Sequence, residues 1–116
     1  MRYRFIFTDW FNRDLKSLRR HNPDLRSDFE LFLETFDAQA HPVIPGTGGA
    51  RKVRMKAKSK GKRSGYRLIY YYQVDKNVVW LITIYDKAHK ETISAVEERR
   101  IQDLLDLIRE KSKIEG

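Results

Sequence analysis

Hydrophobic residues recur along the chain at two different spacings, and the change of spacing separates predicted helices from predicted strands. A spacing of three or four residues predicts helices that start at Asp9, at the Asn22-Pro23 cap and at the Ser94 capping box. Aromatic and β-branched runs, with one alternating segment, predict strands over 3–7, 51–58, 66–74 and 78–85. The order β-α-α-β-β-β-α predicts an α+β domain in which helices pack on an antiparallel sheet.

The segment 51–58 alternates strictly between basic and apolar residues, which gives the predicted strand one cationic face and one apolar face. Its cationic positions are Lys52, Arg54, Lys56 and Lys58. Side chains on one face of a strand lie roughly 6.5–7 Å apart, so they form a row that can touch neighbouring phosphates. The segment 59–65 is predicted to be a hairpin tip. The almost wholly apolar run 78–85 is predicted to lie inside the sheet, buried on both faces.

Charge strengthens the interpretation of this strand as a binding surface. The chain has 116 residues and a formal charge of +8, and it carries no acidic residue between Asp37 and Asp75. Nine cations lie in that interval, which leaves the rest of the chain at −1. A local cationic block of this kind favours a polyanionic phosphate partner, while a membrane surface is disfavoured because the block has no amphipathic helical period.

The composition also excludes several classes of site and protein. The chain contains no cysteine, so it can hold neither disulfides nor cysteine-ligated metals. Its histidines are scattered without paired carboxylates, and we expect neither a metal nor another cofactor. No window is long and apolar enough to span a membrane, and the N-terminus is charged too early for a secretory signal. We therefore expect one domain over 1–116 that is soluble, not exported and cytoplasmic.

Three sequence blocks resemble a known family. They are Gly46-Thr47-Gly48-Gly49-x-Arg51-Lys52-Val53-Arg54, then Lys60-Gly61-Lys62 through Gly65-Tyr66-Arg67-Leu68-Ile69-Tyr70-Tyr71, then Thr83-Ile84-Tyr85-x-Lys87. Together they resemble the RelE/ParE superfamily of type II toxin–antitoxin toxins, and within it the HigB-like members. The resemblance implies a RelE-like fold and a ribosome-dependent, metal-free messenger-RNA endonuclease that cuts codons in the ribosomal A site. It also implies a cognate antitoxin as partner, often a helix-turn-helix repressor.

The resemblance further implies which residues act. The basic positions of RelE-like enzymes fall on Lys52, Arg54, Arg67 and Lys87. The family's tyrosine position is occupied by Ile93, and Tyr85 or Tyr71 are candidates to replace it as RNA-contacting aromatics.

Metal-free RNA cleavage needs a base for the 2′-hydroxyl, cations for the phosphate and an acid for the leaving oxygen. We assign these roles to Lys52, to Arg54 with Arg67, and to Lys87, respectively. The remaining cations are assigned to ribosomal RNA and messenger RNA contacts: Lys56, Lys58, Lys60, Lys62 and Arg63.

Three alternatives stay open at the sequence level. A ParE-like toxin would bind DNA gyrase without nuclease chemistry, and a non-catalytic RNA-binding protein would need only the cationic strand and the tyrosines. Arg67 could also be structural, paired with an acid distant in sequence.

His89 follows Lys87 closely, but a single histidine in a polar segment is more often a surface residue. The last helix is the expected antitoxin surface, through Leu107 with Glu98 and Arg100 on its flanks.

Overall fold

The computed structural model describes residues 2–57 and 65–115, and within these ranges it contains four strands and three α-helices. In chain order they are β1 (Arg4–Phe7), α1 (Asp9–Arg19), α2 (Leu25–Glu34), β2 (Arg51–Lys56), β3 (Gly65–Gln73), β4 (Val78–Asp86) and α3 (Ala95–Glu115). The predicted α+β class and element order are confirmed. Within the described ranges, no helix combines the length and the apolar composition needed to cross a membrane.

The four strands form one sheet in the order β1-β4-β3-β2. Strands β2, β3 and β4 are antiparallel, as expected for a meander, but β1 pairs parallel to β4 in the register Arg4↔Val78. The prediction of an antiparallel sheet is therefore right for three strands and wrong for β1. The two helices that follow β1 carry the chain to the far edge of the sheet, so β1 and β4 enter the sheet from the same end.

Each face of the sheet is covered by its own helices. Phe11, Leu25 and Phe29 of α1 and α2 pack on one face, together with the apolar side of β2. Ile101 and Leu105 of α3 pack on the other face. Strand β4 lies between two neighbours and is buried along nearly its whole length, as its apolar run predicts.

The caps explain where the helices start. Thr8 accepts a hydrogen bond from the Phe11 amide at 3.1 Å and donates to the Leu81 carbonyl at 2.9 Å, which joins α1 to β4. Ser94 and Glu97 form the predicted capping box at α3, which extends to Glu115.

The predicted Asn22 cap of α2 is wrong by two residues. Helix α2 begins after Asp24, which makes no side-chain capping bond. Asn22 is buried instead, and its Nδ2 donates to the Tyr66 hydroxyl at 3.1 Å. The Oδ1 of Asn22 still accepts from the Asp24 amide at 3.2 Å, so this side chain joins the turn before α2 to the core.

The glycine-rich segment 41–49 is a loop that is held against α3. Gly46 has a φ of 83°, and a side chain there would meet Glu98. Farther along the helix, the Arg109 guanidinium donates to the Gly48 carbonyl. The loop leads directly into β2, where the Lys52 amide donates to the Pro42 carbonyl at 3.1 Å. These contacts hold the start of the cationic strand in place.

Candidate functional site

The strand register brings three polar side chains into line on the α3 face of the sheet. Arg54 of β2 is the cross-strand partner of Arg67 of β3, and Arg67 is the partner of Tyr85 of β4. We call these three residues the arginine–tyrosine row. Neighbouring strands lie about 4.8 Å apart, so the row spans roughly 10 Å between its outer backbones.

The other predicted catalytic residues flank this row. Lys52 precedes Arg54 by two positions and lies opposite Ile69, on the same face. At the other end, the Lys87 amide donates to the Gly65 carbonyl at 3.1 Å, and Gly65 lies opposite Lys56. Positions two apart on a strand are roughly 6.5–7 Å apart. Lys52 and Lys87 therefore flank the row on opposite sides, with Lys52 opposite the middle of β3 and Lys87 just after the end of β4.

The Gly65-Tyr66-Arg67 motif separates into two structural residues and one that is not explained by the fold. A Cβ on Gly65 would lie 2.7 Å from the Met55 carbonyl oxygen, so the close approach of β2 and β3 requires glycine. Tyr66 is 1% exposed and its hydroxyl accepts from Asn22. Arg67 has no such structural role, since its Nη1 is buried without a hydrogen-bond partner in the described part of the chain.

Tyr85 resembles Arg67 in this respect. Its side chain is 6% exposed, and its buried hydroxyl has no hydrogen-bond partner among residues 2–57 and 65–115. Burial raises the pKa of the Tyr85 hydroxyl, Arg67 lowers it and Glu97 raises it, with a net increase. Tyr85 thus carries a neutral O–H that can donate a hydrogen bond. Two adjacent donors that are buried and unsatisfied are typical of a site that receives an acceptor from outside the protein.

Electrostatics favours an anion as that acceptor. Arg54 and Arg67 are cross-strand partners, so two guanidinium groups lie on the same face of neighbouring strands. Guanidinium groups bind phosphate oxygens through paired N–H donors. A phosphodiester placed over the arginine–tyrosine row would satisfy the buried donors of Arg67 and Tyr85.

A turn after β4 holds Lys87 beside the row. The Asp86 carboxylate accepts from the Ala88 amide at 2.9 Å and lies 3.4 Å from Nδ1 of His89. Lys87 is exposed within this turn. Asp86 is not among the predicted site residues, although an aspartate that ends an apolar strand and precedes a polar segment is a signal for such a turn. His89 is a surface residue that contacts Asp86.

The two candidate tyrosines have different surroundings. Tyr71 lies four residues from Arg67, about 13 Å along the strand, and the Arg109 guanidinium covers its ring at 5.2 Å. Tyr85 is in the row, but its ring is buried and Lys90 lies 5.2 Å from its centroid. Neither ring presents an open face for base stacking in this structure. Ile93 packs against the cluster that contains Tyr85, so an apolar contact occupies the family's tyrosine position.

The remaining predicted RNA contacts can be placed only in part. Lys56 is exposed at the end of β2. Lys58, Lys60, Lys62 and Arg63 lie outside the described residues. Across 2–57 and 65–115, no group of three His, Asp or Glu side chains is arranged to hold a metal ion.

Comparison with known proteins finds similar solved structures, whereas the sequence matches no protein-family model. A mutant of the E. coli toxin RelE in the free state is 24% identical, with a TM-score of 0.46 over 78% of this chain and 90% of that chain. The intact E. coli RelBE toxin-antitoxin complex gives 24% identity and a TM-score of 0.46 over 71% and 93%. The isolated E. coli RelE toxin gives 21% identity and a TM-score of 0.47 over 88% and 98%.

Proposed function

We propose that this protein is the toxin of a type II toxin–antitoxin module and that it acts as a ribosome-dependent messenger-RNA endonuclease. One observation carries the proposal: the buried donors of Arg67 and Tyr85, unsatisfied within the described residues, lie side by side in a cationic row. The sequence motifs that resemble RelE-like toxins supply the reaction class. The register in which Lys52 and Lys87 flank Arg54 and Arg67 supports it.

In the proposed reaction, the 2′-oxygen of the RNA attacks the adjacent phosphorus and the 5′-oxygen leaves. Arg54 and Arg67 hold the phosphate oxygens, whose negative charge increases in the transition state. The Tyr85 hydroxyl donates a further hydrogen bond to the same group. Lys52 accepts the 2′-hydroxyl proton and Lys87 donates a proton to the leaving oxygen. These groups provide modest activation, so a rigid ribosomal A site would contribute the positioning of the RNA.

The geometry favours this proposal over the two alternatives. A gyrase-binding toxin has no use for buried donors directed at a phosphate, because it performs no nuclease chemistry. A non-catalytic RNA-binding surface depends on exposed aromatic faces, whereas the Tyr85 ring is buried and the Tyr71 ring is covered by Arg109. The arginine–tyrosine row is better suited to one phosphate than to a run of bases.

The decisive experiment is induction of the Arg67→Ala variant in a bacterial host, followed by mapping of messenger-RNA 5′ ends. Removal of one donor to a transition-state oxyanion costs about 10²–10³ in rate, so we expect cleavage and growth arrest to be lost. Arg26→Ala is the matched control, since Arg26 is exposed on α2 and pairs with Glu30 at 3.3 Å. It should cleave like the original protein.

Each alternative has its own result in the same assay. Intact RNA with damaged DNA in cells that express the unmodified chain would identify a gyrase poison. Growth arrest with neither lesion would identify a non-catalytic RNA-binding protein. A well-expressed Arg67→Ala protein that still cleaves RNA would refute the assignment of the row.

An antitoxin partner is part of the proposal and rests on the same motif resemblance. On α3, Leu107 is 68% exposed and is available to a partner. Its expected neighbours are already engaged, because Glu98 lies against Gly46 and the Arg100 guanidinium stacks over Trp10 at 4.1 Å. We therefore place the antitoxin contact on the Leu107 face rather than on the polar flanks.

A further inference from the structure

A cleft of about 450 Å³ lies at the edge of the sheet, between β1, the turn that joins β3 to β4 and the last turns of α3. Among the described residues that line it, none belongs to the arginine–tyrosine row. Trp80 in the cleft precedes Tyr85 by five residues, about 16 Å along β4. A ligand in the cleft would therefore lie apart from a phosphate on the row.

The floor of the cleft is apolar. Ile6 of β1 and Ile108 of α3 contribute aliphatic side chains. The half-buried Trp80 ring also lines the cleft, and its Nε1 donates to Oε1 of Gln73 at 2.9 Å, which holds the ring in place. Leu107, which is 68% exposed, extends this apolar surface along α3. The floor thus offers apolar contact rather than hydrogen bonds.

The rim of the cleft is cationic. It carries Arg4 of β1, Lys76 of the turn after β3 and Lys111 of α3, and all three are exposed. No acid is among the lining residues in the described part of the chain. Within 2–57 and 65–115, the three side chains form no hydrogen bond or ion pair. A ligand that brings carboxylates would complement this rim.

We propose that the cleft docks an acidic, amphipathic segment of a partner protein, with an apolar side chain on the floor and carboxylates on the rim. The proposal rests on the antitoxin partner proposed above, whose contact at Leu107 continues directly into the cleft. Leu107 and Lys111 are four positions apart on α3, about 6 Å along the helix axis. A helical segment that carries an apolar residue and an acid four positions apart would match both.

The lining favours a protein segment over RNA. Phosphates could reach the three cations, but they would leave the apolar floor uncovered, whereas a leucine or valine side chain would bury it. Among the described residues, the buried side-chain atoms that lack a hydrogen-bond partner belong to Arg67 and Tyr85, and neither lines the cleft. The cleft therefore lacks the unsatisfied donors that mark the row as a phosphate site.

The test uses a designed peptide that has the chemistry specified by the proposal. A fluorescein-labelled peptide of about 15 residues carries leucine and glutamate four positions apart, and a second version has glutamine in place of every glutamate. Both are titrated with the protein and followed by anisotropy. We expect the glutamate peptide to bind about fivefold to tenfold more tightly, since it forms several exposed ion pairs of modest strength with the rim. Added salt should reduce this difference.

Two double variants locate the binding. Arg4→Gln with Lys76→Gln removes two cations of the rim and should weaken binding of the glutamate peptide about fivefold. Lys16→Gln with Arg19→Gln removes the same charge from exposed positions of α1, on the other face of the sheet. It should leave the affinity within about twofold of the original. Circular dichroism confirms that each variant is folded.

The fluorescence of Trp80 reports on the floor directly. The chain has two tryptophans, so Trp10→Phe leaves Trp80 as the only one. An apolar side chain that covers the Trp80 ring should shift its emission to shorter wavelengths when the glutamate peptide is added. An unchanged spectrum in a folded Trp10→Phe protein that binds the peptide would overturn the placement on the floor.

Three further results would overturn the proposal. They are equal affinity for the two peptides, an equal loss of affinity in the two double variants, and a loss of hexauridylate binding in Arg4→Gln with Lys76→Gln that matches the loss of peptide binding. The last result would identify the cleft as an RNA site. Failure of the endonuclease proposal is seen separately, as cleavage that persists in Arg67→Ala, because peptide binding requires neither cleavage nor an antitoxin.

Discussion

Replacing Arg67 with methionine should make the protein more stable while it removes its activity. A buried donor without a partner costs about 1–3 kcal/mol, and Arg67 holds one at Nη1. Methionine keeps the apolar stem of the side chain and lacks the charged head.

The expected gain in stability follows from this unsatisfied donor. We take the lower end for the donor, since one nitrogen is concerned, and expect the free energy of unfolding to rise by about 1–2 kcal/mol. A domain slightly above 100 residues gains about 4 °C in melting temperature per kcal/mol, so the melting temperature should increase by roughly 4–8 °C. Urea unfolding and calorimetry measure both quantities, and Arg26→Met on exposed α2 should stay within about 0.5 kcal/mol of the original protein.

The opposite sign would refute the reasoning. If Arg67 were structural and paired with a distant acid, removal of its charge would leave that acid unpaired and lower the stability by several kcal/mol. A loss of stability above about 1 kcal/mol in Arg67→Met therefore contradicts a row built for an external anion. A gain in stability combined with retained RNA cleavage would show that the buried charge of Arg67 is not needed for catalysis.

Two further perturbations test other parts of the structure. Gly65→Ala should lower the free energy of unfolding by about 1–3 kcal/mol, because its Cβ would lie 2.7 Å from the Met55 carbonyl; an unchanged urea midpoint would contradict this packing. Burial raises the pKa of Glu97, but hydrogen bonds from Lys90 and Ser94 outweigh it and hold the pKa below its ordinary 4.5. The ionised carboxylate therefore stabilises the fold above pH 4.5, and this stabilisation is lost as the pH falls through the lowered pKa. Unfolding from pH 7 to 3 should therefore show a smaller acid-induced loss of stability in Glu97→Gln, and equal losses would contradict the linkage.

Local patterns in the sequence predicted the elements that depend on local chemistry. The alternation in β2 predicts its cationic face because side chains of a strand point to opposite sides. The Ser94 and Glu97 pair predicts the start of α3 because both bonds of a capping box lie within one turn. Once β2 and β3 pair as a hairpin, Arg54 and Arg67 fall opposite each other.

Features that depend on distant partners could not be predicted in the same way. The direction of β1 is set by its pairing with β4 rather than by its own residues. Asn22 carries the signature of a cap, and its Oδ1 accepts from the Asp24 amide, but its Nδ2 also donates to the Tyr66 hydroxyl 44 positions away. The Asp14 carboxylate accepts a hydrogen bond from the Thr83 hydroxyl across 69 positions, and no periodicity along the chain encodes that contact.

The parallel pairing of β1 with β4 has a consequence for the order of folding. Thr8 at the end of β1 and Leu81 of β4 are joined across 73 residues, so closing this loop costs more conformational entropy than forming the β3–β4 hairpin. We therefore expect the meander of β2, β3 and β4 to form early and β1 to dock late. Substitutions in β1 should then accelerate unfolding more than they slow folding. Because Arg54, Arg67 and Tyr85 all belong to the meander, transient detachment of β1 would leave their alignment intact.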